Sequence, residues 1–271
     1  MFTDTNLFAL VVCGAVSLSI EHGNNDSSCV HYVWLSFVAG HRFGDYKNAI
    51  RFGQLGYDLV EKRGLKRFQA ATYAAFANGI MPWMQHLLAC CNVTRQAFEI
   101  AKTIGDLTYA AYSRICLNTL LIATGDSLAE VQREAENGLR FAQKAKIGFA
   151  ADMANVQLCL IGTLRGLTTK FGSFDHAEFD EIGFERRLES YPPTAHCWYW
   201  VRKLQAHFFA GDFASAIEAS LKARPLLATL PNFTPADYEF YSALARAASV
   251  SYTHLDVYKR QVEHYLRHPL R

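Results

Sequence analysis

The dipeptide Gly-Asp occurs four times in the chain, at residues 44–45, 105–106, 125–126 and 211–212. Glycine suits the left-handed position just past a helix end. Aspartate suits the N-cap of the next helix, where its carboxylate accepts backbone N–H bonds. Each pair therefore predicts the end of one helix and the start of another. The intervals of 61, 20 and 86 residues are close to three, one and four helices of about 20 residues each.

Two of these junctions also share their flanking residues. GDYKNAI at residues 44–50 matches GDFASAI at residues 211–217 in Gly, Asp, the aromatic residue, Ala and Ile. An aromatic residue and then a small Ala are typical of the second helix in a tetratricopeptide-type hairpin, although a pitch of about 40 residues exceeds that repeat. Gly-Asp is also a common loop dipeptide, but four occurrences with two matched flanks favour repeats. The sequence predicts an all-α fold, a tetratricopeptide-like helical hairpin solenoid with long helices.

The predicted helical-repeat domain covers residues 1–248 and contains one irregular stretch. Residues 172–193 mix acidic side chains with phenylalanines and close on two consecutive prolines. Because this composition departs from the helical rhythm on both sides, we expect an insertion there, with one short helix near residues 181–190.

The most apolar stretch of the chain is residues 7–20. Its 14 residues are fewer than the roughly 18 to 20 that a membrane-spanning helix needs, and the basic start of a signal peptide is missing. We therefore expect a buried helix, with a membrane segment as the alternative.

Residues 249–271 are interpreted as an artefact followed by an unrelated tail. One permitted back-translation of VSYTHLDVYKRQ, residues 250–261, equals its own reverse complement except for its last two bases. It looks like two head-to-head copies of a transposase end sequence from a sequencing library. A natural helix has no reason to encode such an inverted repeat.

The net charge and the cysteines indicate which partners, cofactors and compartment to expect. The formal charge of +2 comes from residues 250–271, and the remainder of the chain is neutral overall. We therefore expect neither a nucleic-acid surface nor an anionic-membrane surface. The seven cysteines are odd in number and have no C-x-x-C spacing. They favour buried, reduced thiols in a cytoplasmic protein, with no metal or other cofactor.

No catalytic motif is present in the sequence: it has no Walker phosphate loop, kinase signature, dinucleotide-binding turn or nucleophile elbow. Asp175, Glu178, Asp180 and Glu181 crowd one loop, which we interpret as solvated rather than as an acid–base pair. The candidate partner-binding residues are Trp198, Trp200 and Arg202, because three consecutive aromatic residues on a helix cannot all face one core. The alternative is that these residues pack into the preceding insertion.

Four stretches carry a resemblance to known proteins. They are residues 42–65 (RFGDYKNAIRFGQLGYDLVEKRGL), residues 125–146 (GDSLAEVQREAENGLRFAQKAK), residues 164–168 with 171–181 (LRGLT and FGSFDHAEFDE), and residues 197–213 (CWYWVRKLQAHFFAGDF). Through them, residues 6–248 resemble the helical-repeat region of large bacterial signalling proteins. Those proteins combine a serine/threonine kinase domain, an AAA-type ATPase module, a helical region, a GAF domain and a sensor histidine kinase of the two-component type.

The resemblance implies a fragment of such a kinase that is not itself an enzyme, because none of the parent's catalytic motifs lies in this piece. It implies an interaction and regulatory module whose partner is another protein or a neighbouring domain of the parent. The alternative is a small-molecule-sensing domain like the related helical region of maltose-type transcriptional activators.

Overall fold

The computed structural model describes residues 4–230 and 232–267, with side chains up to residue 250. These residues form twelve α-helices and two short 3-10 segments, and the only strand-like pairing among them is an isolated bridge between His176 and Phe179. The predicted all-α class is therefore confirmed.

The helices, named in chain order, are α1 (Thr5–His22), α2 (Ser28–Phe43), α3 (Tyr46–Arg63), α4 (Lys66–Gly79), α5 (Leu87–Ile104), α6 (Leu107–Thr124), α7 (Leu128–Lys144), α8 (Gly148–Leu164), α9 (Glu181–Leu188), α10 (Pro193–Phe209), α11 (Phe213–Ala223) and α12 (Thr234–Arg267). The 3-10 segments are Met81–Trp83 and Arg224–Thr229. Each contains a proline in its first turn, where the missing N–H is tolerated.

The Gly-Asp junctions form the helix ends that the sequence predicted. Gly44 ends α2 in the left-handed conformation (φ 65°), and the Asp45 carboxylate then accepts from the backbone N–H of Asn48. The junctions before α6 and α11 work in the same way, with Asp106 and Asp212 as N-caps. At the remaining junction, residues 125–126, the N-cap of α7 is Ser127, one residue after the dipeptide.

The helices pack in two layers. The even-numbered helices form a continuous row, in which α2 contacts α4, α4 contacts α6, α6 contacts α8, α8 contacts α10 and α10 contacts α12. We call this row the inner layer. Most odd-numbered helices lie outside it and each spans two members: α3, α5, α7 and α11 contact the inner helix before and the inner helix after them.

Glycines in α3 allow this outer helix to approach the inner layer closely. A Cβ at Gly56 of α3 would clash with the backbone oxygen of Cys29 in α2, and a Cβ at Gly53 would clash with Ile80. The buried face of α3 consists of Ala49, Gly53, Gly56, Leu59 and Val60. This face explains why α3 needs glycine in its interior despite the cost of glycine to helix stability.

Helix α1 contradicts the expectation of a buried helix. Only Ala9, Val12, Val16 and Ser19 of its 18 residues are buried, whereas Leu10 and Ile20 are 71% and 68% exposed. The reason is its place in the fold, since α1 lies at the end of the outer layer and packs mainly on α2. Its 18 residues exceed the 14 estimated from sequence, and it is the one helix among the described residues that is long and apolar enough to cross a membrane.

The insertion supplies core residues as well as a loop. Its short helix, α9, begins at Glu181 beyond an Asp180 N-cap. Phe174, Phe179, Phe184 and Leu188 are buried against α8 and α10. The chain between the regular helices is therefore part of the hydrophobic core.

Helix α12 begins at Thr234 and runs to Arg267. The side chains beyond residue 250, and all of residues 268–271, lie outside the described part of the chain. The boundary at residue 248 and the artefact interpretation of residues 249–271 thus stay predictions.

Candidate binding groove along the inner helices

A cavity of about 110 Å³ lies on the inner layer, between the side chains of α2, α4, α6 and α10. Trp34 and Phe37 of α2 and Trp198 of α10 form aromatic walls, and Ala75 of α4 keeps the space open. Thr229, Leu230 and Asn232 complete the lining. The inner helices therefore bound a single space to which four of them contribute.

The aromatic side chains on one wall of this cavity pack against each other. The ring centroid of Trp198 lies 6.1 Å from that of Phe149 in α8 and 6.5 Å from that of Tyr112 in α6. Phe149 in turn packs edge-on against Tyr191 at 5.8 Å. Tyr112, Phe149 and Trp198 all lie in the first two turns of their helices, so these three inner helices run in the same direction and meet at one end of the layer.

The segment after α11 closes the cavity from the opposite side. Its Leu230 is buried beside Cys197 and Val201 of α10, and Phe233 packs against the cluster that includes Val33 and Phe37 of α2. This segment therefore bridges two inner helices that are distant in sequence.

A larger open groove of about 930 Å³ adjoins the cavity. It is lined by the first two turns of α2 and α4 and by the start of α6, and it contains His31, Arg67 and Asp106. Trp34 and Tyr109 line both spaces. The groove therefore offers a route from solvent to the cavity and adds polar and charged groups at its mouth.

The ionisable groups in the cavity wall are neutral near pH 7. Burial raises the pKa of the Cys116 thiol to about 12, and burial also raises the pKa of Tyr109 and of Tyr112. Burial lowers the pKa of His31 in the adjoining groove, which favours its neutral form. A ligand in the cavity would therefore meet no charged partner on its wall.

Below the cavity, a buried hydrogen-bond network joins four inner helices. Arg202 of α10 donates to Asp237 of α12 at 3.1 Å, to Gln205 at 2.6 Å and to Thr119 of α6 at 2.9 Å. Gln157 of α8 donates to Thr119 at 3.1 Å and accepts from Asn118 at 3.2 Å. Burial raises the pKa of Asp237 and the Arg202 guanidinium opposes that shift. The network fixes the relative positions of the inner helices.

The three residues predicted to bind a partner occupy different environments. Arg202 is 2% exposed and belongs to the buried network, so its expected place on a surface is wrong. Trp198 is half-buried and lines the cavity. Trp200 is also half-buried, with the Lys222 ammonium 4.2 Å from its ring centroid. The reason is that α10 is surrounded on several sides, by α8, α11 and α12. Partner binding by these residues stays a prediction.

The interpretation of residues 175–181 as a solvated acidic loop holds for three of its four carboxylates. Asp175, Glu178 and Asp180 are exposed, but the Glu181 side chain is 13% exposed and ion-paired with the buried Lys203. Burial alone would raise the pKa of Glu181, but Lys203 and hydrogen bonds from Phe174 N and Tyr199 hold it below its usual range. The sequence offered one signal for this pairing: Lys203 lies inside a helix that is rich in aromatic residues.

The cysteines are all free, and five of the seven are buried, as expected. Cys159 lies 3.7 Å from His176 Nε2, a distance that a nucleophile and its base could have. Burial raises the pKa of Cys159, and the Glu181 carboxylate raises it further. Such surroundings disfavour the reactive thiolate. Among the described residues, no three metal-ligating side chains come together.

Neither protein-family models nor curated proteins give a match to this chain. The geometry of the groove and cavity is therefore the basis for assigning them a role.

Proposed function

We propose that this chain is a non-catalytic interaction and regulatory module, a tetratricopeptide-like solenoid within a large bacterial signal-transduction kinase that acts in the cytoplasm. The observation that carries the proposal is the inner row of even-numbered helices with a groove along it. Helical solenoids present their binding sites on such a surface, because each repeat adds one helix to it. The link to a signalling kinase rests on the four stretches of sequence resemblance.

The groove has the chemistry of a protein-binding surface. Aromatic side chains line its inner part, while Arg67 and Asp106 stand at its mouth. Buried aromatic anchors with a polar rim are typical of protein interfaces. The partner would be another protein or a neighbouring domain of the parent, held by the aromatic wall and positioned by the charged rim.

The test uses the intact parent kinase. Arg67→Glu reverses an exposed charge at the groove mouth, and Lys144→Glu, on the exposed surface of α7, is the matched control. We expect the groove variant to change phosphorylation output several-fold and the control to leave it unchanged. Equal output from both variants and the wild type would argue against the groove as the regulatory surface.

A second candidate function is small-molecule sensing, and the partly enclosed cavity favours it. A ligand at 100 times its dissociation constant should stabilise the folded chain by roughly 2.7 kcal/mol. A thermal-shift screen against a broad compound library therefore tests this function. If no compound raises the melting temperature, the sensing function is wrong.

A further inference from the structure

The cavity on the inner layer is lined by groups that select for a particular kind of molecule, and a ligand there presupposes the second proposed function, sensing. Its wall combines the rings of Trp34, Phe37 and Trp198 with the small side chain of Ala75. Ligand sites that are mostly apolar, with a few placed polar groups, are the usual form of a small-molecule pocket. Flat aromatic walls favour a flat ligand, because stacked or edge-on rings gain more than area burial alone.

The cavity wall also contains two buried polar side chains, Asn78 and Thr194, and the first of them has an amide oxygen that can accept a hydrogen bond. Asn78 is 6% exposed, and its Nδ2 donates to Ala74 O at 2.7 Å and to Thr94 at 3.4 Å. No hydrogen bond to its carbonyl oxygen is present among the described residues. The amide is therefore held by its nitrogen, and its oxygen is available as an acceptor for a ligand O–H or N–H.

The wall excludes charged ligands. It contains no Asp, Glu, Lys or Arg, and its tyrosines and its thiol are neutral near pH 7. An ion transferred into such a space would lose its hydration without gaining a counter-charge, which is strongly unfavourable. The ligand should therefore be uncharged.

The size of the cavity limits the ligand to about one ring. A cavity of about 150 Å³ lined by apolar side chains is known to hold benzene, and this one measures about 110 Å³ but opens past Trp34 and Tyr109 into the larger groove. A substituent on the ring could extend through that opening. A much larger ligand would have to displace the segment that carries Leu230, which is itself 2% exposed.

We propose that this cavity binds a small neutral aromatic molecule with one hydrogen-bond donor, a phenol, whose ring packs on Trp198 and whose hydroxyl donates to the Asn78 oxygen. Phenol is the probe for the test, and benzoate, which has the same ring but a negative charge, is the comparison compound. Isothermal titration calorimetry on the full chain at pH 7 should detect phenol binding, with benzoate weaker by about tenfold or more.

Variants that fill the cavity test the location of the site. Ala75→Phe places a ring in the cavity and should weaken phenol binding about tenfold or more. Ala123→Phe, at an exposed position near the end of α6, adds the same side chain elsewhere and should leave binding unchanged. If Ala75→Phe does not fold, Cys116→Leu reduces the same space from another helix and should also weaken binding.

Three results would overturn the proposal: no phenol binding by the wild type, equal binding of phenol and benzoate, or phenol binding that survives Ala75→Phe (or Cys116→Leu, where Ala75→Phe does not fold). Failure of phenol alone is distinguishable from failure of sensing. If phenol does not bind but another class of compound, such as a carbohydrate, raises the melting temperature, the ligand class is wrong and the sensing function stands. If nothing does so, both are wrong.

Discussion

Helices α1 and α10 are almost equal in length, yet the structure uses them in opposite ways. Helix α1 is the more apolar, and four of its 18 residues are buried. Helix α10 contains Arg202, Lys203 and His207, and ten of its 17 residues are buried. The apolar helix is at the surface, and the helix with charged side chains is at the centre.

Position in the two layers explains this reversal. Helix α10 belongs to the inner layer and contacts α8, α11 and α12, so side chains on all its faces meet protein. Helix α1 is the first outer helix and packs mainly on α2, so one face is covered. Burial in a layered array depends on how many neighbours a helix has, and composition alone does not specify that number.

The largest effect should come from the charged side chain at the centre of α10. Arg202→Ala leaves the Asp237 carboxylate buried without its partner, and we expect a loss of about 3–5 kcal/mol in the free energy of unfolding. Urea unfolding at pH 7 measures it. The control is Arg133→Ala, which removes an exposed arginine whose ion pair with Glu130 lies on the surface of α7.

A double variant separates the missing partner from lost packing. Replacing both Arg202 and Asp237 with apolar residues removes the unpaired charge and should recover much of the lost stability. If Arg202→Ala lowers the free energy of unfolding no more than Arg133→Ala does, the buried ion pair does not stabilise α10. The difference in burial between α1 and α10 would then not correspond to a difference in stability.

The second effect concerns the ion pair between α9 and α10. Because the pKa of Glu181 is lowered in the folded state, its contribution to stability is full above the unfolded-state pKa of about 4.3 and is lost as the pH falls through the lower folded-state value. Glu181→Gln should therefore weaken the pH dependence of unfolding in that acidic window. At pH 7 it should cost about 2–4 kcal/mol, since Lys203 stays buried without its counter-charge.

Glu178→Gln, in the exposed part of the same loop, provides the matched control. Unfolding followed by circular dichroism between pH 3 and pH 7 compares both variants with the wild type. An identical pH dependence for wild type and Glu181→Gln would mean that the ion pair does not contribute to stability.

The sequence could predict local contacts but not the burial of Arg202. Helix ends at the Gly-Asp junctions were predictable, because Gly44 and Asp45 hydrogen-bond to backbone groups no more than six residues away. The environment of Arg202 was not, because its partners Thr119 and Asp237 are 83 and 35 residues away. The burial of Arg202 follows from the packing of whole helices, and a local sequence pattern does not determine that packing.

The same distinction applies to the candidate cavity. Trp198 could be singled out by its aromatic neighbours in sequence, and it does line the cavity. Trp34, Phe37 and Leu230 gave no such signal, because they come from helices and a segment that meet only in the folded chain. Pro231 and Pro235 predicted a loop between them, but α12 already begins at Thr234. The contacts of Leu230 and Phe233 with the inner helices could not be predicted, because they form only in the folded chain.

A third, smaller effect should come from the covered face of α1. Val12 is 1% exposed and packs beside Val38 of α2. Val12→Ala removes two buried methyl groups, and we expect a loss of about 1.5–2.5 kcal/mol in the free energy of unfolding. Chemical unfolding measures this loss, and a change below about 0.5 kcal/mol would mean that α1 is detached from α2 in solution.

The smallest effect should come from the outer face of the same helix, where Leu10 is 71% exposed. Leu10→Gln removes apolar surface that is already in water, so the free energy of unfolding should stay within about 0.5 kcal/mol of the wild type. Exposed apolar patches promote association, so sedimentation should show less self-association for the variant. Val12→Ala serves as the internal comparison, since it lies on the opposite face of the same helix. A loss for Leu10→Gln as large as that for Val12→Ala would mean that the outer face of α1 is covered in solution. In that case the contrast between α1 and α10 would belong to the isolated chain and not to its assembled form.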